Sequence, residues 1–138
     1  MNRTLKLILA IIAGLVVGSI VNMSLIMIGP SLIPPPSGVN VQDPDSIAQS
    51  IHLFEFKHFI TPWLAHALGT LIGSALALLI ADKRVVAAYG VGGLFLLGGV
   101  MAATMIPAPM WFLAADLILA YIPMALLAIV LVNKIAGK

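Results

Sequence analysis

Four stretches of this chain, residues 5–28, 61–81, 85–105 and 109–132, each run for about twenty residues or more with almost no charge. A soluble domain of this length has nowhere to hide that much apolar surface, because small domains keep a large share of their surface exposed. Of the 138 residues, 62% are hydrophobic and only 9% are charged. Lipid is the solvent that suits such a composition. The runs therefore predict an all-α, polytopic membrane protein, a single transmembrane domain over residues 1–138 built as a bundle of four spanning helices.

The first run follows a basic start, "MNRTLK", as a signal peptide does. Its apolar stretch is longer than the 7–15 residues typical of a signal core, and the expectation is an uncleaved anchor. The basic residues lie to one side: Arg3, Lys6, Lys83, Arg84, Lys134 and Lys138 flank the same ends of the runs, and only Lys57 falls opposite. The positive-inside rule then places both termini and the "ADKR" turn in the cytoplasm of a bacterial-type inner membrane. These positive charges are topology signals. No arginine-rich patch with interleaved aromatics points to nucleic acid. Cysteine is absent, which excludes disulfides and thiolate chemistry.

The one long connection, residues 29–60, belongs on the extracytoplasmic side. Its first half, "GPSLIPPPSGVNVQ", is irregular and rich in proline. Its second half has the marks of a helix: Asp43 suits the N-cap, Pro44 the first helical position and Asp45 the helix dipole. Ile47, Ile51 and Phe54 then form one stripe with His58 inside it and Glu55 at its edge, as in a helix lying in the interface over the bundle. Thr61-Pro62 is expected to break the chain there, with Thr61 as N-cap of the second span. Pro123 is expected to kink the fourth.

Polar side chains inside spans are costly, so they carry most of the functional signal. Measured at about 1.5 Å per residue from the extracytoplasmic ends, His66, Asn22 and Asp116 fall at depths of roughly 6, 9 and 10 Å. Thr70 lies one turn below His66. Asp116 is the only acid embedded in a span, and His66 is its natural partner. The functional reading is a pH-responsive site of Asn22, His66, Thr70 and Asp116, roofed by Glu55 and His58, that binds or transports a small ligand or ion. The plainer alternative is a His–Asp hydrogen bond that joins two helices.

Glu55 and His58 also have Glu-x-x-His spacing, used twice over in di-iron bundles together with two further glutamates. This chain has a single glutamate, which excludes a di-iron centre within it. One zinc or iron ion held by Glu55, His58 and His66 remains the metal alternative, and with it a metal-dependent enzyme acting on a lipid-like substrate. A third reading is an accessory subunit of a larger membrane complex. The glycine pairs Gly14/Gly18 and Gly69/Gly73 are the small-xxx-small pattern of close helix contact, either within the bundle or between copies in a homo-oligomer.

Overall fold

The structure is a computed structural model and describes residues 1–137; Lys138, counted above among the basic residues, lies outside them. It is all-helical among those residues. The order is α1 (Arg3–Leu32), α2 (Pro44–Ser50), two 3₁₀ turns (Ile51–Leu53 and Phe56–Phe59), α3 (Ile60–Ile80), α4 (Val85–Met105), α5 (Met110–Leu119) and α6 (Ile122–Ala136). Four stretches are long and apolar enough to cross a membrane: α1, the last 3₁₀ turn with α3, α4, and α5 with α6. This is a multi-pass membrane protein. We call the end carrying residues 33–59 the loop end, and the opposite one the basic end.

The bundle is small inside and large outside. Its fully covered side chains are mostly alanines, such as Ala10, Ala65, Ala77, Ala87, Ala120 and Ala125, while Ile12, Ile20 and Met27 stand out from α1. That distribution suits lipid, where apolar side chains lose nothing by facing outward and close backbone approach holds helices together. The tightest approach is α1 on α3. A Cβ on Gly14 would lie 2.5 Å from the Gly73 carbonyl oxygen, and one on Gly18 would lie 2.6 Å from that of Gly69. The two glycine pairs thus face each other within one chain.

At the basic end, α3 closes with a Schellman turn in which the Lys83 N–H reaches the Leu78 carbonyl at 2.7 Å. Asp82 and Lys83 take left-handed φ values of 54° and 61° there. The Asp82 carboxylate then meets Lys6 of α1 at 2.6 Å, and Arg84 donates to the Arg3 carbonyl at 3.1 Å. These contacts bring the N-terminus and the α3–α4 turn to the same end.

Three boundaries differ from the sequence expectation. Helix α1 continues past Ile28 to Leu32 with Pro30 inside it. Pro30 removes one bond near the helix end, and the last turn stays packed because Gly29 lets Thr61 approach: a Cβ there would be 2.8 Å from Thr61 Oγ1. The second span shows no break at Thr61-Pro62. Its N-cap is Phe59, so Pro62 falls in the first turn, where helix N–H groups have no intrahelical partner anyway. The break comes earlier, at Phe54 and Glu55, both extended, so α2 is a short helix followed by two separate turns. The fourth span does bend near Pro123: α5 ends at Leu119 and α6 restarts at Ile122, with Tyr121 at φ −118° and ψ −80° between them.

Replacing Gly14 by alanine should force α1 from α3, at a cost of about 1–3 kcal/mol for an overpacked contact. Gly93→Ala, at a position with open space around the glycine, should leave stability nearly unchanged. Thermal unfolding in detergent, followed by helical circular dichroism, checks the difference; equal behaviour would place the close contact elsewhere.

Candidate functional site

His66 sits in the second turn of α3, on the face toward α5. Its Nδ1 lies 2.8 Å from Asp116 Oδ1, joining two spans across 50 residues of sequence. The second carboxylate oxygen accepts from the Tyr121 hydroxyl at 3.1 Å. The rings of His66 and Tyr121 stack with centroids 5.8 Å apart. Asp116 is therefore enclosed, its side chain 7% exposed, with a donor on each oxygen. Buried carboxylates need such partners, because desolvation otherwise disfavours the charge strongly. An ionised Asp116 can only accept, so a neutral His66 bonded to it carries its proton on Nδ1 and has its lone pair on Nε2.

Tyr121 is the member of the cluster that the sequence does not show. Five positions along a straight helix is a rotation of about 140°, which would turn Tyr121 away from Asp116. The break between α5 and α6 turns it back. A glycine completes the arrangement: a Cβ on Gly99 of α4 would lie 2.5 Å from the Tyr121 hydroxyl oxygen. The signal available beforehand was Pro123, two residues beyond Tyr121 and a cause of the bend.

The pair borders a cavity of about 230 Å³ at the loop end. The walls come from α1, α3, α4 and α5, and the roof from residues 33–59, including Val41, Ile47, Ile51 and Phe54. The lining is mostly apolar; its polar side chains are His58, Thr61, His66 and Asp116. Beside it, Phe56, Phe59, Trp111 and Phe112 form an aromatic cluster, with Phe56 and Trp111 stacked at 5.5 Å. Trp63 is more than an interface anchor, since its indole N–H reaches the Ala115 carbonyl at 3.4 Å and ties α3 to α5.

The other residues singled out in the sequence lie elsewhere. Thr70 is fully buried and its hydroxyl donates to the His66 carbonyl at 2.8 Å, one turn back along the same helix. Asn22 is not part of the cavity lining. It packs on Gly69 at the α1–α3 contact, its Oδ1 buried without a hydrogen-bond partner. Equal depth placed it level with His66, but depth does not fix direction around the helix.

Glu55 faces outward, 69% exposed, with Lys57 Nζ at 3.5 Å. The Glu-x-x-His spacing here serves a capping box around the last 3₁₀ turn: the Glu55 N–H donates to His58 Nδ1 at 2.8 Å. That bond occupies one ring nitrogen of His58, which borders the cavity, while the Glu55 carboxylate accepts from the His58 backbone N–H and lies outside the lining. Glu55, His58 and His66 are thus not brought together as a three-ligand set, and no group of three His, Asp or Glu side chains among the described residues has the arrangement a metal ion needs. His52 is exposed and lies outside the cavity lining.

What these features define is a multi-pass membrane protein with a roofed apolar cavity and a His–Asp–Tyr cluster in one wall. No family model, curated protein or solved structure matches the chain.

Substituting Tyr121 by phenylalanine should lower stability by about 1 kcal/mol, the scale of a hydrogen bond between membrane helices. Gly99→Ala should have a similar effect, because the added methyl displaces the same hydroxyl. In the double variant the two losses should overlap rather than add. Unfolding titrations of the three variants check this, and simple additivity would show that Gly99 acts on something else.

Proposed function

We propose that this is a bacterial-type inner-membrane protein that binds a small, mainly apolar ligand in its loop-end cavity, with His66 as the pH-responsive contact. The observation that carries the reading is the juxtaposition of two hydrogen-bonded imidazoles, His58 and His66, with a mostly apolar, roofed space. Ligand sites have this composition: apolar walls give affinity, and a few placed polar groups fix orientation. A structural His–Asp bond alone needs no adjoining cavity. Enclosure by the proline-rich segment and the 3₁₀ turns also fits exchange with the loop side, the extracytoplasmic side under the positive-inside rule.

Histidine changes charge between pH 5 and 8, and a protonated His66 would turn from acceptor to donor at Nε2. The groups around it are Asp116 from α5, Tyr121 from the α5–α6 junction and His58 from the roof; α1 and α4 contribute no titratable side chain to the lining.

Native mass spectrometry of the protein released from lipid nanodiscs should find a small-molecule adduct on the wild type. Ala103→Phe, which fills the cavity from α4, should remove it, and His66→Ala should flatten its change in occupancy across pH 5–8. The same adducts on all three proteins at every pH would refute the reading. For orientation, a fluorescent-protein fusion after Gly137 should fluoresce and an alkaline phosphatase fusion after Gln42 should be active. The reverse pattern would invert the topology.

A further inference from the structure

The two histidines of the cavity are held in opposite tautomers, and this bears on what the cavity can take. His66 Nδ1 is bonded to a carboxylate, so its proton stays on Nδ1 and Nε2 presents a lone pair. His58 Nδ1 accepts from a backbone N–H, so its proton must sit on Nε2. The wall therefore offers an accepting imidazole and the roof a donating one. A hydroxyl is the simplest neutral group that can answer both, since it donates once and accepts through its lone pairs.

The rest of the lining narrows the class. No lysine or arginine borders the cavity, so nothing there would neutralise a carboxylate or phosphate. An ammonium group would compete for Asp116, whose two oxygens are already engaged by His66 and Tyr121. Pro30, Pro35, Pro62 and Pro107 all border the space and contribute no N–H, which makes backbone donors scarce for a ligand that only accepts. At about 230 Å³ the cavity exceeds the 150 Å³ that holds benzene in an engineered protein core, leaving room for a skeleton larger than a single six-membered ring.

We propose that the occupant is a neutral apolar alcohol or phenol of one or two rings' size, whose O–H donates to His66 Nε2. This rests on the reading of the cavity as a ligand site. Asp116 acts as a positioning residue, because it sets which nitrogen of His66 carries the proton.

The test uses β-naphthol and its methyl ether, nearly equal in shape, with protein in lipid nanodiscs and Ala103→Phe as the control for partition into lipid. Wild type should bind β-naphthol about tenfold more tightly than the ether, the factor expected for one hydrogen bond. Nitrogen NMR of labelled histidine should show the His66 proton on Nδ1, and the Nε2 signal should shift on adding β-naphthol. In Asp116→Asn an amide that turns its NH₂ to Nδ1, read from the same nitrogen spectra, moves the proton to Nε2, and the preference should then shift toward the ether. Equal binding of the two probes to wild type, or a His66 proton found on Nε2, overturns the hydroxyl assignment while the cavity reading stands. If neither probe binds wild type better than Ala103→Phe, the cavity reading itself falls with it.

Discussion

A carboxylate among apolar helices has to be answered by donors, and much of the loop-end half of this bundle is arranged around that requirement. Asp116 has two oxygens and draws one partner to each: His66 from α3 and Tyr121 from the junction of α5 and α6. Neither partner could reach it from arbitrary backbone. Tyr121 needs the fourth span to bend, and Pro123 supplies the reason, since it has no N–H for the Leu119 carbonyl. The bent chain then needs space on its other side, which Gly99 leaves. One buried charge thus links a proline, a glycine and two aromatic rings on three spans.

The same economy governs packing further along the same stripe of α3, where Gly69 and Gly73 follow His66 at i+3 and i+7. There the helices meet through glycines and alanines, so α1 can lie against α3 almost backbone to backbone. Close contact on that side contrasts with the loop end, where the lining side chains leave a cavity. Asn22 packs into the tight contact at Gly69, whereas His66, one turn nearer the loop end, borders the cavity. The stripe of α3 that carries both thus passes from close helix contact to open space.

Much of this was legible in the sequence, and the failures have specific causes. Four apolar runs gave the spans, since lipid admits few alternatives to long apolar helices. Matching depth pointed to His66 and Asp116, because an embedded acid needs a partner at its own level. Asn22 and Thr70 shared that level, but depth says nothing about azimuth: Asn22 packs on Gly69 of α3, and the Thr70 hydroxyl turns back along its own helix. Tyr121 was hidden because helical periodicity assumes a straight helix, and the bend rephases everything after Leu119. Pro62 was read as a breaker when it needed only a place in a first turn, where its missing N–H costs nothing.

The Glu55–His58 spacing shows how one pattern can carry two chemistries. At i and i+3 on a continuous helix, a carboxylate and an imidazole share a face and can converge on a metal. Here the helix stops first. Glu55 is extended, its N–H is free of any helical partner, and the nearest acceptor three residues on is the His58 ring. Once Nδ1 is taken by that N–H, the imidazole is fixed as a donor through its other nitrogen. The bond that removes a metal ligand thus gives the roof a defined polarity, opposite to that of His66 below it. Backbone capping at one histidine and a buried carboxylate at the other thus give the two imidazoles that border the cavity opposite partners at Nδ1, a donor at His58 and an acceptor at His66.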